Sequence, residues 1–180
     1  MNLDPQLIVK AQAIKLLGLD VDGVMTDGRL YFTADGQEFK TFNILDGHGI
    51  KMLQSTGVKV AIITGRETTV VAKRAKDLGI ELLLQGREDK RVALNEIRQQ
   101  LQLDWNEIAY LGDDLPDLPA IQQVGLGLSV PNGYWLVKQH ADGVTQTLGG
   151  AGAVREVCDF IMSAQNTLQP ALTPYMQASE

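Results

Sequence analysis

Five short apolar runs, separated by helical patterns and polar turns, constrain this chain more than any other feature. They are Ile14–Leu19, Val58–Ile63, Glu81–Leu84, Ile108–Leu111 and Val124–Leu128. The spacing between them predicts helices near Gly49–Gln54, Thr68–Leu78, Arg91–Leu101 and Leu115–Gln122. Within Arg91–Leu101, the residues Ala93, Leu94, Ile97 and Leu101 share one helical face. A strand buried on both faces reads as a continuous apolar run, and its alternation with helices predicts an α/β fold with a parallel sheet covered on both sides. At 180 residues, 44% hydrophobic and 21% charged, the chain suits a single domain over residues 1–180 with a sizeable core.

Charge and residue usage exclude several functions. A net charge of −6 argues against binding to nucleic acid or to an anionic membrane. The one cysteine, Cys158, excludes an internal disulfide and a cysteine-rich zinc site, and two histidines, His48 and His140, exclude a histidine-rich metal site. Asp4 and Pro5 come too early for a signal peptide, and no run reaches membrane-spanning length. A reducing cytoplasm is the expected compartment.

One segment interrupts the alternation. Arg29–Thr33, an Asp35-Gly36 turn and Glu38–Asn43 read as a β-hairpin, residues 29–43, placed where a crossover helix would normally follow the first strand. An isolated hairpin is marginal in water, so Tyr31, Phe32, Phe39 and Phe42 should pack against something, a second subunit included. Residues 166–180 carry Pro170 and Pro174 among small polar residues, and are expected to be flexible unless a partner holds them.

The chemistry-bearing residues cluster where the runs end. The first run leads into Asp20-Val21-Asp22-Gly23, and two carboxylates so close repel unless a cation or a shared proton compensates. The second leads into Thr64-Gly65-Arg66, and the fourth into Gly112-Asp113-Asp114-Leu115-Pro116-Asp117. Lys90 precedes Leu94 by four residues and Ile97 by seven, which puts it on their apolar stripe. Taken singly, these features have plainer readings: a threonine cap, acidic residues at a helix start, a lysine whose stem lies along apolar surface. Taken together at the strand ends of one parallel sheet, Asp20, Asp22, Thr64, Lys90 and Asp113 converge on one edge. The set suits phosphoryl transfer: Asp20 as nucleophile, Asp22 as general acid and base, and Thr64 and Lys90 on the phosphoryl oxygens. Asp20 and Asp113 with a backbone carbonyl would suit Mg²⁺.

This order of motifs resembles the haloacid dehalogenase superfamily of phosphatases over nearly the whole chain. The resemblance implies a Rossmann-like parallel sheet with helices on both faces, with the hairpin in place of a large cap domain. It implies those same catalytic roles for Asp20, Asp22, Thr64 and Lys90, with Mg²⁺ held by Asp20, the main-chain carbonyl of Asp22, and Asp113. Asp114 and Asp117 would orient metal-bound water and the lysine. Asp-Val-Asp-Gly-Val-Met-Thr-Asp-Gly, Lys-Thr-Phe-Asn-x-x-Asp-Gly-x-Gly-Ile-Lys and Gly-Ala-Val-Arg-Glu-Val-Cys are similar to the subfamily acting on octulosonate 8-phosphate in lipopolysaccharide synthesis. That subfamily implies a homotetramer in which neighbouring subunits close each site. It places substrate contacts at Asp22, Asn43, Ile44, Leu45, Asp46, Gly47, Lys51, Arg66, Arg74 and Lys90. Leu45 stands where those proteins usually carry a basic residue, and Ala151 where they often carry arginine.

Three other readings stand beside this one. A nine-carbon keto-sugar acid 9-phosphate is the rival substrate. A noncatalytic oligomerisation module would not need the complete acidic set. A phospho-acceptor receiver domain would place its reactive aspartate at a middle strand, whereas Glu81–Leu84 runs into Gln85-Gly86.

Overall fold

The computed structural model describes residues 4–176. Strands β1 (Leu16–Leu19), β4 (Lys59–Ile63), β5 (Leu82–Leu84), β6 (Ile108–Gly112), β7 (Leu126–Ser129) and β8 (Gly143–Val144) form one sheet. Its order is β5-β4-β1-β6-β7-β8, parallel at every pairing. The five expected strands are all in it, their ends displaced by one or two residues; the two-residue β8 carries too little pattern to be legible. Strands β2 (Tyr31–Phe32) and β3 (Glu38–Phe39) form the separate antiparallel hairpin, turned at Gly36 with φ +83°.

Helices cover both faces. On one lie α1 (Pro5–Gln12), α2 (Ile44–Ser55), α3 (Thr69–Leu78), α7 (Ala153–Ala164) and α8 (Leu168–Met176). On the other lie α4 (Lys90–Leu101), α5 (Leu118–Ile121) and α6 (Trp135–His140). Strand pleating divides the core accordingly: Ile108 and Tyr110 of β6 join the α4 side, while Ala109 and Leu111 join the α2 and α7 side.

The sequence pattern does not announce α1 or α6, and the expected helix Leu115–Gln122 is a 3-10 turn, Leu115–Asp117, followed by the short α5. α2 and the C-terminal stretch depart from the sequence reading as well. α2 starts at Ile44 rather than near Gly49, because Asn43 caps it, its Oδ1 accepting from the Leu45 N–H at 2.8 Å. Gly47 and Gly49 lower helix propensity there, but a Cβ at Gly49 would press on Arg155 of α7, so close helix packing requires the small residue. The stretch after Gln165, expected to be flexible without a partner, instead forms α8. Leu168, Ala171 and Leu172, at i, i+3 and i+4, pack on the core, while Pro170 sits in the first turn where its missing N–H costs nothing. Residues 177–180 of that expected tail lie outside the described residues.

The chain runs from β1 outward through β4 to β5, then returns to β6 on the other side of β1. That reversal opens a crevice at the C-terminal end of β1, where open α/β sheets bind ligands. Asp20 is the first residue beyond β1.

Candidate active site

Asp20, Asp22, Thr64, Arg66, Lys90, Asp113 and Asp117 line one cup of about 170 Å³ above the ends of β1, β4 and β6. The cup therefore gathers the five residues expected to converge.

Lys90, the first residue of α4, is 3% exposed and points up the sheet's edge. Its ammonium donates to Asp20 Oδ1 and, at 2.7 Å, to the Ile63 carbonyl, and lies 3.5 Å from Asp117. Burial works against its charge, but Asp20 and Asp117 prevail and hold its pKa above the ordinary lysine value. The carboxyls feel the reverse. Burial, and then the charge of Asp117, push Asp20 up to about 7 against the pull of Lys90. Burial, then Asp20, Asp117 and Asp114, push Asp113 up to about 8.

Asp117 is fully engaged. Its Oδ1 accepts from Tyr110 Oη at 2.8 Å, and its Oδ2 from the Asp113 and Asp114 N–H groups at 3.0 and 3.2 Å. Two glycines make room for this arrangement. A Cβ at Gly18 would come within 2.7 Å of the Tyr110 ring, and one at Gly112 would overlap Asp117. Each glycine stands in the strand that carries an acidic residue of the cup at its end.

The donor set fits a divalent cation with oxygen preference. Asp20, Asp113 and Asp117 can each bring a carboxylate oxygen within 4.8 Å of the others. Because Asp117 is committed to four donors and Asp20 Oδ1 to Lys90, Asp113 and the second oxygen of Asp20 are left to ligate. Raised pKa values then link cation binding to proton release. With pKa values of about 7 and about 8, calorimetric titration with Mg²⁺ should give an affinity about a thousandfold weaker at pH 6 than at pH 9. An affinity unchanged across that range would contradict both assignments.

The Asp20–Gly28 loop is held by its backbone. Thr26 Oγ1 donates to the Val21 carbonyl and accepts from the Gly23 and Gly28 N–H groups. Gly23, at φ +103°, lies against the Asp113 carboxylate, where a Cβ would overlap it. Asn132 clamps the loop from above, donating to the Gly23 carbonyl at 2.9 Å and accepting from the Gly149 N–H at 2.8 Å. Thr64 is buried, and its Oγ1 accepts from the Arg66 N–H.

Asn43, Ile44, Leu45, Asp46, Gly47, Lys51 and Arg74 do not line the cup within one subunit. Asp46 turns inward, accepting from the Arg155 N–H at the start of α7 at 2.8 Å, and burial pushes its pKa up to about 6. Arg74 donates to the Asn43 carbonyl at 3.1 Å and stacks 5.5 Å from the Phe42 ring centre. Lys51 lines a different cavity, of about 580 Å³, between α2 and α8.

Sequence reasoning missed Lys40, Glu38, Tyr110 and Asn132. Lys40, just past β3, pairs with Asp22 and, at 3.0 Å, with Glu38; Glu38 also pairs with Arg66 at 2.6 Å. The available signal was the alternation of charge along Glu38-Phe39-Lys40, which puts Glu38 and Lys40 on one side of the strand.

The chain is similar over most of its length to known proteins. A family model described as haloacid dehalogenase-like hydrolase matches residues 37–125. The 3-deoxy-D-manno-octulosonate 8-phosphate phosphatase KdsC of Salmonella typhimurium is 43% identical over 169 residues, covering 94% of this chain and 90% of that protein. The KdsC of Escherichia coli K12 is 44% identical over 165 residues, covering 92% and 88%. Among solved structures, a protein assigned to the YrbI family phosphatases of Pseudomonas syringae is 55% identical, with a TM-score of 0.96 over 98% of this chain and 100% of that one. A 3-deoxy-D-manno-octulosonate 8-phosphate phosphatase of Moraxella catarrhalis, in complex with magnesium, phosphate and KDO, is 42% identical, with a TM-score of 0.93 over 95% and 98%. Likeness at this level over nearly the full length of each relative means that the chain belongs to the haloacid dehalogenase-like hydrolases, in the family of the 3-deoxy-D-manno-octulosonate 8-phosphate phosphatases.

Proposed function

We propose that the protein is a Mg²⁺-dependent phosphatase converting 3-deoxy-D-manno-octulosonate 8-phosphate to 3-deoxy-D-manno-octulosonate and phosphate, in lipopolysaccharide biosynthesis. The observation that carries this reading is the buried Asp20–Lys90 pair beside Asp113 at the sheet's switch point, in a chain 43% identical to KdsC.

Asp20 attacks phosphorus, forming an aspartyl-phosphate as the bond to the sugar oxygen breaks. Asp22 gives that oxygen its proton. Asp22 then takes a proton from water, whose oxygen displaces Asp20 from phosphorus and regenerates the free carboxylate. Lys90 keeps Asp20 oriented and offsets negative charge, and Thr64 offers its hydroxyl to a phosphoryl oxygen. Asp20, Asp113 and the main-chain carbonyl of Asp22 would hold Mg²⁺, which when bound offsets the charge of the phosphoryl group. Arg66, at the rim of the cup, suits a second anionic group on the substrate.

Because Asn43–Gly47, Lys51 and Arg74 lie outside the cup of their own subunit, their substrate contacts call for a second copy of the chain. Leu30, Phe32 and Phe39 of the hairpin, and Ile44 and Leu45 of α2, are exposed and apolar, as an assembly surface would be. A homotetramer is the assembly this reading takes; a monomer in sedimentation velocity at micromolar concentration would contradict it. The reading also places the enzyme in the cytoplasm, which fractionation would check; among the described residues no helix is long and apolar enough to cross a membrane.

The deciding assay presents purified protein and Mg²⁺ with a panel of sugar phosphates. The expected result is kcat/KM at least about tenfold higher for octulosonate 8-phosphate than for hexose phosphates. A preference for a nine-carbon keto-sugar acid 9-phosphate would move the substrate assignment, in keeping with Leu45. No Mg²⁺-dependent turnover on any ester would favour the noncatalytic reading.

A further inference from the structure

We propose that Lys40 of the hairpin is the positioning residue of the Asp22 carboxyl, and that Glu38 ties this hold to Arg66. The inference rests on the acid–base role given to Asp22 above. While the backbone of the Asp20–Gly28 loop is pinned by Thr26 and Asn132, none of those bonds reaches the Asp22 side chain. Among the described residues, the side-chain partner of Asp22 is Lys40. Two side-chain torsions therefore depend on one ammonium.

That ammonium is placed for the task. The Lys40 side chain is 3% exposed, although the strand beside it is two residues long and much of the hairpin faces solvent. A lysine at a hairpin edge ordinarily keeps its head in water. Here it lies between Asp22 and Glu38, and the second oxygen of Glu38 pairs with Arg66 at 2.6 Å. The series Asp22–Lys40–Glu38–Arg66 alternates in charge and joins three segments: the loop after β1, the hairpin, and the turn after β4. A group at the Arg66 end that competes for Glu38 is thereby felt at the general acid. The hairpin is more than a cover: it sets the aim of the proton donor.

Leaving groups separate this role from a structural one. A sugar alkoxide needs a proton as it departs, whereas 4-nitrophenolate does not. Both esters need Asp22 as base to hydrolyse the aspartyl-phosphate. In Lys40→Met, rapid mixing with 4-nitrophenyl phosphate should give a burst of about one nitrophenolate per site, at a rate within about threefold of the wild-type first turnover. Steady-state turnover should then fall by about ten- to a hundredfold, and kcat for a sugar phosphate by at least as much with no burst. Lys40→Cys should behave alike, and alkylation with 2-bromoethylamine, which restores an ammonium at nearly the same reach, should return turnover; the one other cysteine, Cys158, is buried. If the first variant does not fold, Glu38→Gln, which keeps Lys40 but frees Arg66, should show the same burst with a milder slow phase. Burst and turnover falling together, turnover within about twofold of wild type, or no recovery on alkylation would each overturn the proposal. Asp22→Asn, run alongside, must show the burst: if it turns over undiminished the acid–base reading fails, and if it bursts while Lys40→Met does not, the Lys40 role alone fails.

Discussion

Asp20→Asn should lower phosphate release by on the order of 10⁴-fold or more, with folding retained. The amide keeps the shape of the carboxylate, so the end of β1 and the packing of Leu19 should not move. It cannot displace an alkoxide from phosphorus, and it removes one of the two carboxylates free to ligate Mg²⁺. Two measurements separate these losses. Acid-quenched reactions with labelled substrate should leave phosphate on the wild-type chain and none on the variant. Calorimetry should show weaker Mg²⁺ binding, and a less steep dependence on pH because one titrating carboxyl near 7 has gone. Saturating Mg²⁺ should therefore restore the metal but not the activity. Undiminished phosphate release would sink the nucleophile assignment, and with it the aspartyl-phosphate.

The same residue marks what could be read from the sequence. Asp20, Thr64, Lys90 and Asp113 were legible because a parallel sheet brings every strand end to one edge, so residues remote in sequence become neighbours by topology alone. Lys90 carried a second signal, a cation on the stripe of Leu94 and Ile97, and it is buried as that stripe requires. What escaped was set by packing rather than period. Gly18 and Gly112 look like ordinary strand glycines until Tyr110 and Asp117 are seen filling the space where their side chains would be. Lys40 sits in a hairpin too short for periodicity to say which way it faces. Asp46 reads as turn chemistry because nothing nearby in sequence shows that the first turn of α7 will arrive to accept it as a cap. α8 was hidden by its prolines, although Leu168, Ala171 and Leu172 repeat at helical spacing. Local pattern reports strands, helices and the ends they share; it does not report which distant backbone will come to rest against a given side chain.

Lys90→Met is expected to be the most damaging single substitution in the molecule, because it acts on stability and chemistry at once. Methionine matches the stem of lysine, so the slot between α4 and β1 stays filled. The ammonium leaves behind Asp20, Asp113 and Asp117 within 4.8 Å of one another, and an Ile63 carbonyl that has lost its donor. Breaking a buried pair in this way costs roughly 3–5 kcal/mol. For a domain of this size that amounts to a fall in Tm of roughly 6–20 °C. The pH dependence identifies the cause. Asp20 and Asp113 already hold protons more tightly folded than unfolded, and without Lys90 their pKa values rise further. Between about pH 4 and their folded pKa values the native state then binds more protons than the unfolded chain, so stability falls as pH rises. The Tm deficit of the variant should therefore be smallest near pH 5 and widen toward pH 9, and Mg²⁺ should narrow it at the alkaline end, where the carboxylates are ionised. Turnover should drop by on the order of 10³-fold or more even at pH 9 with Mg²⁺, because an Asp20 without Lys90 is neither oriented nor compensated when the phosphoryl group arrives. A deficit independent of pH would mean that Lys90 is merely packed; a variant as stable as the wild type and as active would remove it from the site altogether.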